Sequence, residues 1–390
     1  MKKFALILLT VLTVVAVAVT AAGCDLLDKI LNKINVDNIL ETLESLVPEG
    51  FETGDNLTVD VTTEVSDEVQ TFADGELSIH FLELGNKYTG DCTLIKIGNV
   101  EVLIDAGSRT SSSATIVPYI RQYCTDGKLE YVIATHAHQD HIAGFVGSNK
   151  NPGVFDSFEI GTIIEFALTN ATSTVYSNYC SERDEAVSRG ATKYTALQCY
   201  NNSSGARRTY TLAEGVTMEI LYNYFYDHNT DDENNYSVCM LLTQGTNHYL
   251  FTGDLEKEGE EKLVQNNSLP HVQLFKGGHH GSYTANTTTL MKVIQPEMVC
   301  VCCCCGTTEY TSNDANTFPS QAFFDHVLPY TERIYVTTIC TDFENGVYSS
   351  LNGNIVVTSM GSDLKVTCSA SATPVTETAW FSEHRKRQSN

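Results

Sequence analysis

The chain has 390 residues, 42% of them hydrophobic, which suits one large domain or two small ones around a normal core. Lysine and arginine number 24 against 48 acidic residues, a formal charge of −24. That acidity excludes a surface that coats nucleic acid indiscriminately. It leaves open a phosphate-bearing substrate at a metal site, where bound cations invert the local field.

The first residues read as an export signal. Lys2-Lys3 precede an apolar run from Phe4 to Val19, and Thr20-Ala21-Ala22-Gly23 supply small residues before Cys24. The Ala-Gly-Cys ending resembles the bacterial lipobox, which implies a signal peptide over residues 1–23 and lipid attachment at Cys24. An uncleaved apolar anchor is the alternative. Either one places the bulk of the protein outside the cytoplasm, and the first makes it a membrane-anchored lipoprotein. Residues 24–75 are expected to be short helices and an acidic tether. Leu27, Ile30, Leu31 and Ile34, then Ile39, Leu40, Leu43, Leu46 and Val47, recur with helical spacing. Pro48 to Asp74 is acidic, rich in Thr and Gly, and weakly periodic.

A folded domain is expected over 76–368. Leu77–Leu82, Asp91–Ile97 and Glu101–Asp105 read as strands, with Gly98-Asn99 as a hairpin turn. Ile116–Cys124 reads as a helix, and Tyr131–Ala134 as a strand running into the histidine cluster. The stretch 151–213 is less legible: a strand at Ile160–Ile164, a polar helix at Ser181–Arg189, and a basic spot at Arg207-Arg208. Met218–Tyr222 is a strand, and Asp227–Asn235 an acidic loop. Ser237–Leu242 and His248–Thr252 form a hairpin, followed by a helix over Leu255–Val264 and a strand over Val272–Lys276. Helices are predicted at Thr288–Ile294 and Ser320–Leu328, and strands at Met298–Cys304, Arg333–Thr338, Gly353–Thr358 and Leu364–Cys368. Residues 369–390 are expected to be a flexible tail. Strand hairpins precede helices in each half, which predicts a layered α/β domain. Of the 13 cysteines, five crowd into Cys300–Cys305. Neighbours on one strand cannot all pair, so this run is expected to be a buried strand of small apolar residues, its thiols preserved by anaerobic surroundings.

Four strand ends carry metal-ligand chemistry. In Thr135-His136-Ala137-His138-Gln139-Asp140-His141, residues i and i+2 past a strand point the same way, so His136 and His138 can face one ion. Asp140 and His141 fall at a helix start and can face a second. Asp105, Asp254 after Gly253, and His279-His280 after Gly278 end three other apolar runs. Strands ending on one sheet edge would gather these groups, and a carboxylate such as Asp254 could bridge two cations about 3.5–4 Å apart. This donor mix suits zinc, one or two ions, with manganese or iron as alternatives.

These motifs resemble those of the metallo-β-lactamase-fold hydrolases, over about residues 76 to 368, and more narrowly the hydrolase domain of the ComEC-type competence proteins. The residues that carry the resemblance are Gly90-Asp91, Leu103–Gly107, the His136–His141 cluster, Asn234–Ser237, Leu250–Asp254 and Lys276–Ser282. The resemblance implies a four-layer αββα sandwich and hydrolysis of a phosphodiester, in extracellular nucleic acid or the cell wall, with no stable nucleic-acid complex. It implies metal ligation by His136 and His138 on one side and by Asp140, His141 and His279 on the other, with Asp254 bridging. Asp105 would orient a histidine, while Asp140 and His280 are the catalytic candidates, His280 facing the substrate. Asp91, His228 and Asn234 are further site candidates. The sequence departs from the family at the third-motif histidine, which has no clear counterpart, and at Phe318, where relatives carry histidine before proline. The alternatives are lactone, amide or thioester hydrolysis on the same fold, or a decayed scaffold serving as a surface-binding lipoprotein.

Overall fold

Two sheets stand face to face. In the first, nine strands run in the order β1 (Val61–Val65), β17 (Leu364–Cys368), β16 (Ile355–Ser359), β2 (Leu77–Phe81), β3 (Thr93–Ile97), β4 (Val100–Ile104), β5 (Lys128–Ala134), β6 (Glu159–Glu165) and β7 (Thr192–Thr195). In the second, eight strands run β15 (Val347–Ser350), β14 (Ile334–Asp342), β13 (Val299–Cys305), β12 (Leu274–Lys276), β11 (Asn247–Phe251), β10 (Met240–Gln244), β9 (Val216–Ile220) and β8 (Thr209–Ala213). This computed structural model describes residues 60–387. The export signal, Cys24, the amphipathic helices and most of the tether lie outside the described residues. Among these, no helix is long and apolar enough to cross a membrane.

The strand β13 shows how the layers form. Cys300 and Cys302 join the core that contains the inner faces of both sheets, while Val299, Val301, Cys303 and Cys305 join a second core. The side-chain period of two thus buries the strand on both faces. The second core is closed by helices α6 (Lys257–Asn266), α7 (Thr288–Ile294), α8 (Gln321–Val327) and α9 (Ala379–His384), through residues such as Leu263, Leu290, Phe323 and Phe381. Beside the first sheet lie α1 (Ser113–Tyr123), α2 (Gln139–Val146), α3 (Val154–Ser157), α4 (Thr174–Ser188) and α5 (Ala196–Tyr200), contributing Ile116, Phe145, Phe155 and Tyr179. The result is the αββα sandwich that the sequence resemblance implied.

The parallel strands aim the site. β4, β5 and β6 are parallel neighbours, as are β11, β12 and β13. Their C-terminal ends therefore share an edge in each sheet. The Asp105 N–H donates to the Ile133 carbonyl at 2.8 Å, and the His279 N–H to the Gly253 carbonyl at 3.1 Å. The Val238 N–H donates to the Thr135 carbonyl at 2.9 Å, which ties the two edges together.

The structure differs from the sequence expectation at both ends. Val61–Val65, inside the stretch read as tether, is an edge strand parallel to β17. Four of its five residues are exposed, so backbone pairing, which needs no apolar pattern, holds it. The stretch read as a flexible tail contains α9, which buries Trp380 and Phe381. In the same stretch the Arg385 guanidinium donates to the carbonyls of Pro319 at 2.9 Å and Thr317 at 2.8 Å. The polar α4 begins at Thr174, capped by the Ser173 hydroxyl accepting from Tyr176 N–H. It is longer than expected because its periodicity is weak where its cap is strong.

Candidate metal centre

Asp254 is the hub. It follows β11, is 1% exposed, and its Oδ2 meets four imidazoles. His141 Nε2 lies 3.0 Å away, His280 Nε2 3.2 Å, His279 Nε2 3.9 Å and His136 Nε2 4.0 Å. His138 is exposed at the mouth, its Nδ1 3.0 Å from His136 Nε2. Asp140 Oδ2 is 3.5 Å from His280 Nε2. His141 Nε2 and His280 Nε2 are 3.3 Å apart. Among the described residues Asp91, His141, Asp254 and His280 have ligand atoms close enough to share one ion.

The loop that carries Asp140 and His141 is seated by close backbone contact. A Cβ on Gly107 would lie 1.5 Å from the Asp140 carbonyl oxygen, so only glycine admits it. The Asp91 N–H donates to that same carbonyl at 3.0 Å. Asp105, with φ of 57°, turns its carboxylate inward. Its Oδ1 accepts from Thr135 N–H at 2.8 Å, and its Oδ2 from the Thr135 hydroxyl at 2.7 Å and His141 Nδ1 at 2.8 Å. The last bond leaves His141 Nε2 free to face Asp254.

The electrostatics ask for positive charge. Burial alone would raise the Asp254 carboxyl, but the imidazoles of His141, His280 and His279 outweigh it and hold it well below the usual range. Burial disfavours a charged His280, yet Asp254 and Asp91 push it well above the ordinary histidine value. His141 is driven up the same way by Asp254 and Asp105. His136 goes the other way: burial, and then the charge on His141, hold it well below. The carboxylates thus favour positive charge among the groups that face them, the charge a divalent cation would supply. Asp254 Oδ1 is buried with no hydrogen-bond partner. A mixed nitrogen and oxygen donor set around an orphaned carboxylate oxygen fits a divalent cation.

The two adjacent histidines stand differently from the expectation. His280, expected at the substrate side, is 1% exposed and stands inside the cluster. Its Nδ1 bonds the Cys302 carbonyl at 2.9 Å and lies 3.2 Å from Asp91 Oδ1. His279, expected as ligand beside His141, has a side chain that is 19% exposed, its Nε2 3.9 Å from Asp254 Oδ2 and its Nδ1 3.2 Å from Glu256 Oε1. Successive left-handed residues, φ 46° and 54°, give the two rings these different settings. His228 is not brought to the cluster: it is exposed, stacks on Tyr224 at 3.7 Å, and bonds Asp227. Asn234 reaches only Glu256, at 3.2 Å.

Several residues around the centre were given no site role from the sequence. Lys276 pairs with Asp91 inside the protein, burial opposing its charge but Asp91 and Asp254 raising it. Glu233 Oε1 accepts from Ala137 N–H at 3.2 Å and props the cluster loop. The Tyr310 hydroxyl donates to Asp140 Oδ2 at 3.1 Å from an exposed position at the mouth. Lys276 lies inside a quoted motif; Glu233 and Tyr310 are brought in from 96 and 170 residues away, which no local spacing reveals.

Residues 85–148 match the family model described as the Metallo-beta-lactamase superfamily. That segment carries Asp91, Asp105 and the His136–His141 cluster. ComE operon protein 3 of Bacillus subtilis is 32% identical over 71 residues, covering 18% of this chain and 9% of its own length. Competence protein ComA of Neisseria gonorrhoeae is 24% identical over 214 residues, covering 53% of this chain and 25% of its own. The chain thus spans a quarter or less of these curated relatives. The metallo-beta-lactamase fold protein YhfI from Bacillus subtilis aligns over 70% of this chain and 99% of its own at 13% identity, with a TM-score of 0.37.

Proposed function

On a metallo-beta-lactamase fold with a ComEC-type resemblance, we propose that this chain is a metal-dependent hydrolase that cleaves phosphodiester bonds. The observation that carries the proposal is the convergence of His136, His141, His279 and His280 on one buried oxygen of Asp254. His141, His280 and Asp140 would hold a cation on one side of Asp254, and His136 and His138 on the other. Zinc fits this donor set best, with manganese as the alternative. When bound, such ions act as Lewis acids and bring water to hydroxide near neutral pH.

The chain's own residues do the rest. Asp105 fixes the tautomer of His141 through Nδ1. Asp91, backed by Lys276, holds the outer nitrogen of His280. The Tyr310 hydroxyl, which donates to Asp140 Oδ2 at the mouth, would turn that O–H to a substrate oxygen once a cation takes up Asp140. The phosphodiester preference rests on the likeness to competence proteins. Extracellular nucleic acid and cell-wall phosphodiesters are the candidate substrates, held transiently because the chain is strongly acidic. Cys24 would anchor the enzyme to the membrane as an exported lipoprotein.

The full chain is assayed for bound metal and for turnover of a bis-aryl phosphodiester, nitrocefin and a thioester, with Asp254→Ala beside it. Phosphodiester turnover that needs metal and falls at least about 100-fold in the variant is expected. Preference for nitrocefin or the thioester redirects the proposal to carbonyl substrates. A protein without bound metal or metal-stimulated hydrolysis is a binding lipoprotein on a decayed scaffold, and the proposal fails.

A further inference from the structure

We propose that the two adjacent histidines of the Gly277–Ser282 turn serve different ions. His280 completes the site of Asp140 and His141. His279 completes that of His136 and His138, in place of the third-motif histidine that the sequence lacks. The inference rests on the metal-dependent reading above and assigns its ligands.

Geometry separates the two rings. His280 Nε2 lies with His141 Nε2, 3.3 Å apart, and within 3.5 Å of Asp140 Oδ2. His279 Nε2 and His136 Nε2 stand farther out, 3.9 and 4.0 Å from the same Asp254 Oδ2. A cation bonds its nitrogen ligands at about 2.0–2.1 Å and a carboxylate oxygen at about 2.0–2.2 Å. Bonds of that length put two ligands of one ion about 3–4 Å apart, depending on the angle between them, and 3.9 and 4.0 Å lie at the wide end of that range.

The outer nitrogens of both rings are already spoken for. His279 Nδ1 lies 3.2 Å from Glu256 Oε1 and 3.0 Å from the Thr284 hydroxyl. Glu256 is itself fixed by Asn234 Nδ2 at 3.2 Å and the Thr284 hydroxyl at 2.9 Å. A carboxylate on the far nitrogen is how a ligating histidine is commonly oriented. It leaves Nε2 as the free atom, on the side of Asp254. His280 is oriented independently, by the Cys302 carbonyl and Asp91. Two successive residues at φ 46° and 54° set the rings 63° apart with centroids at 6.1 Å. That backbone gives neighbouring side chains different partners, Glu256 and Thr284 for His279, Cys302 and Asp91 for His280. The other candidate histidine, His228, is exposed, stacked on Tyr224 and away from the cluster.

The test uses the full chain, stripped by chelation and titrated with Zn²⁺ or Mn²⁺ alone, with stoichiometry read by calorimetry and elemental analysis. Wild type is expected to take two ions. His279→Ala and His138→Ala are each expected to keep one, and the double variant the same one, because both remove a single site. His280→Ala is expected to lose the other ion, and His279→Ala with His280→Ala to lose both. Glu256→Gln, which leaves every proposed ligand in place, is expected to weaken only the first ion, by about 10–100-fold; it carries the test if circular dichroism shows His279→Ala unfolded. The assignment is overturned if His279→Ala keeps two ions at unchanged affinity, or if the double His279/His280 variant keeps one. A wild type with one ion also overturns it while leaving a metal-dependent hydrolase. A wild type with none removes the underlying reading itself.

Discussion

Asp105 shows how much one side chain can decide. It touches no proposed substrate position, yet its Oδ2 holds His141 Nδ1 at 2.8 Å and its Oδ1 pins the backbone of Thr135. Without it the imidazole is free to flip or change tautomer, and Nε2 no longer faces Asp254. Asp105→Ala is expected to lower affinity for the ion shared by His141 and His280 by about 10–100-fold, measured by metal titration. An unchanged affinity would mean that packing alone orients the ring. The cluster was legible in the sequence because its geometry is local: i and i+2 past a strand, then a helix start. The choice between His279 and His280 was not, because it depends on two left-handed backbone angles that their residue types do not signal. Lys276 and Asp91, 185 residues apart, were quoted in separate motifs, and nothing in the spacing joins them.

At the scale of elements, the histidine turn is braced from α6. Glu260 is fully buried and accepts from the N–H groups of Asn286 at 2.6 Å and Thr287 at 2.7 Å. Asn286 in turn accepts from Gly278 N–H and donates to the Gly278 carbonyl, each at 2.8 Å. Burial pushes the Glu260 carboxyl up to about 7 from its ordinary 4.5, against the pull of bonds from Thr287 and Asn286. Between those values the folded chain binds more protons than the unfolded one. Its contribution to stability is therefore full below pH 4.5, falls as pH rises toward 7, and is flat beyond, a change on the order of 3 kcal/mol. Urea unfolding of wild type and Glu260→Gln at pH 5 and pH 8 should differ in this slope, which the variant removes. Equal slopes would show that Glu260 is charged in the fold. Most central strands were readable because buried strands are near-continuous apolar runs. β1, β7, β8 and β15 escaped because edge and polar strands are held by backbone pairing, which composition does not record.

Across the whole molecule, the sandwich makes its cysteines inaccessible. Every described cysteine is a free thiol and all but Cys180 are buried. Burial pushes the Cys302 thiol up to about 12, helped by Asp91, and thiols so held are inert. β13, buried on both faces, has the largest share of them. Once the sheets part, those thiols meet solvent within a few residues of one another and can cross-link in many wrong ways. In the presence of oxygen the protein's lifetime is then a matter of rate: each opening is a one-way exit. Recovery of metal binding after dilution from urea is expected to be high with a reductant present and poor under air, with the loss following the time spent unfolded. A strand of cysteines makes this fold one that endures by not opening.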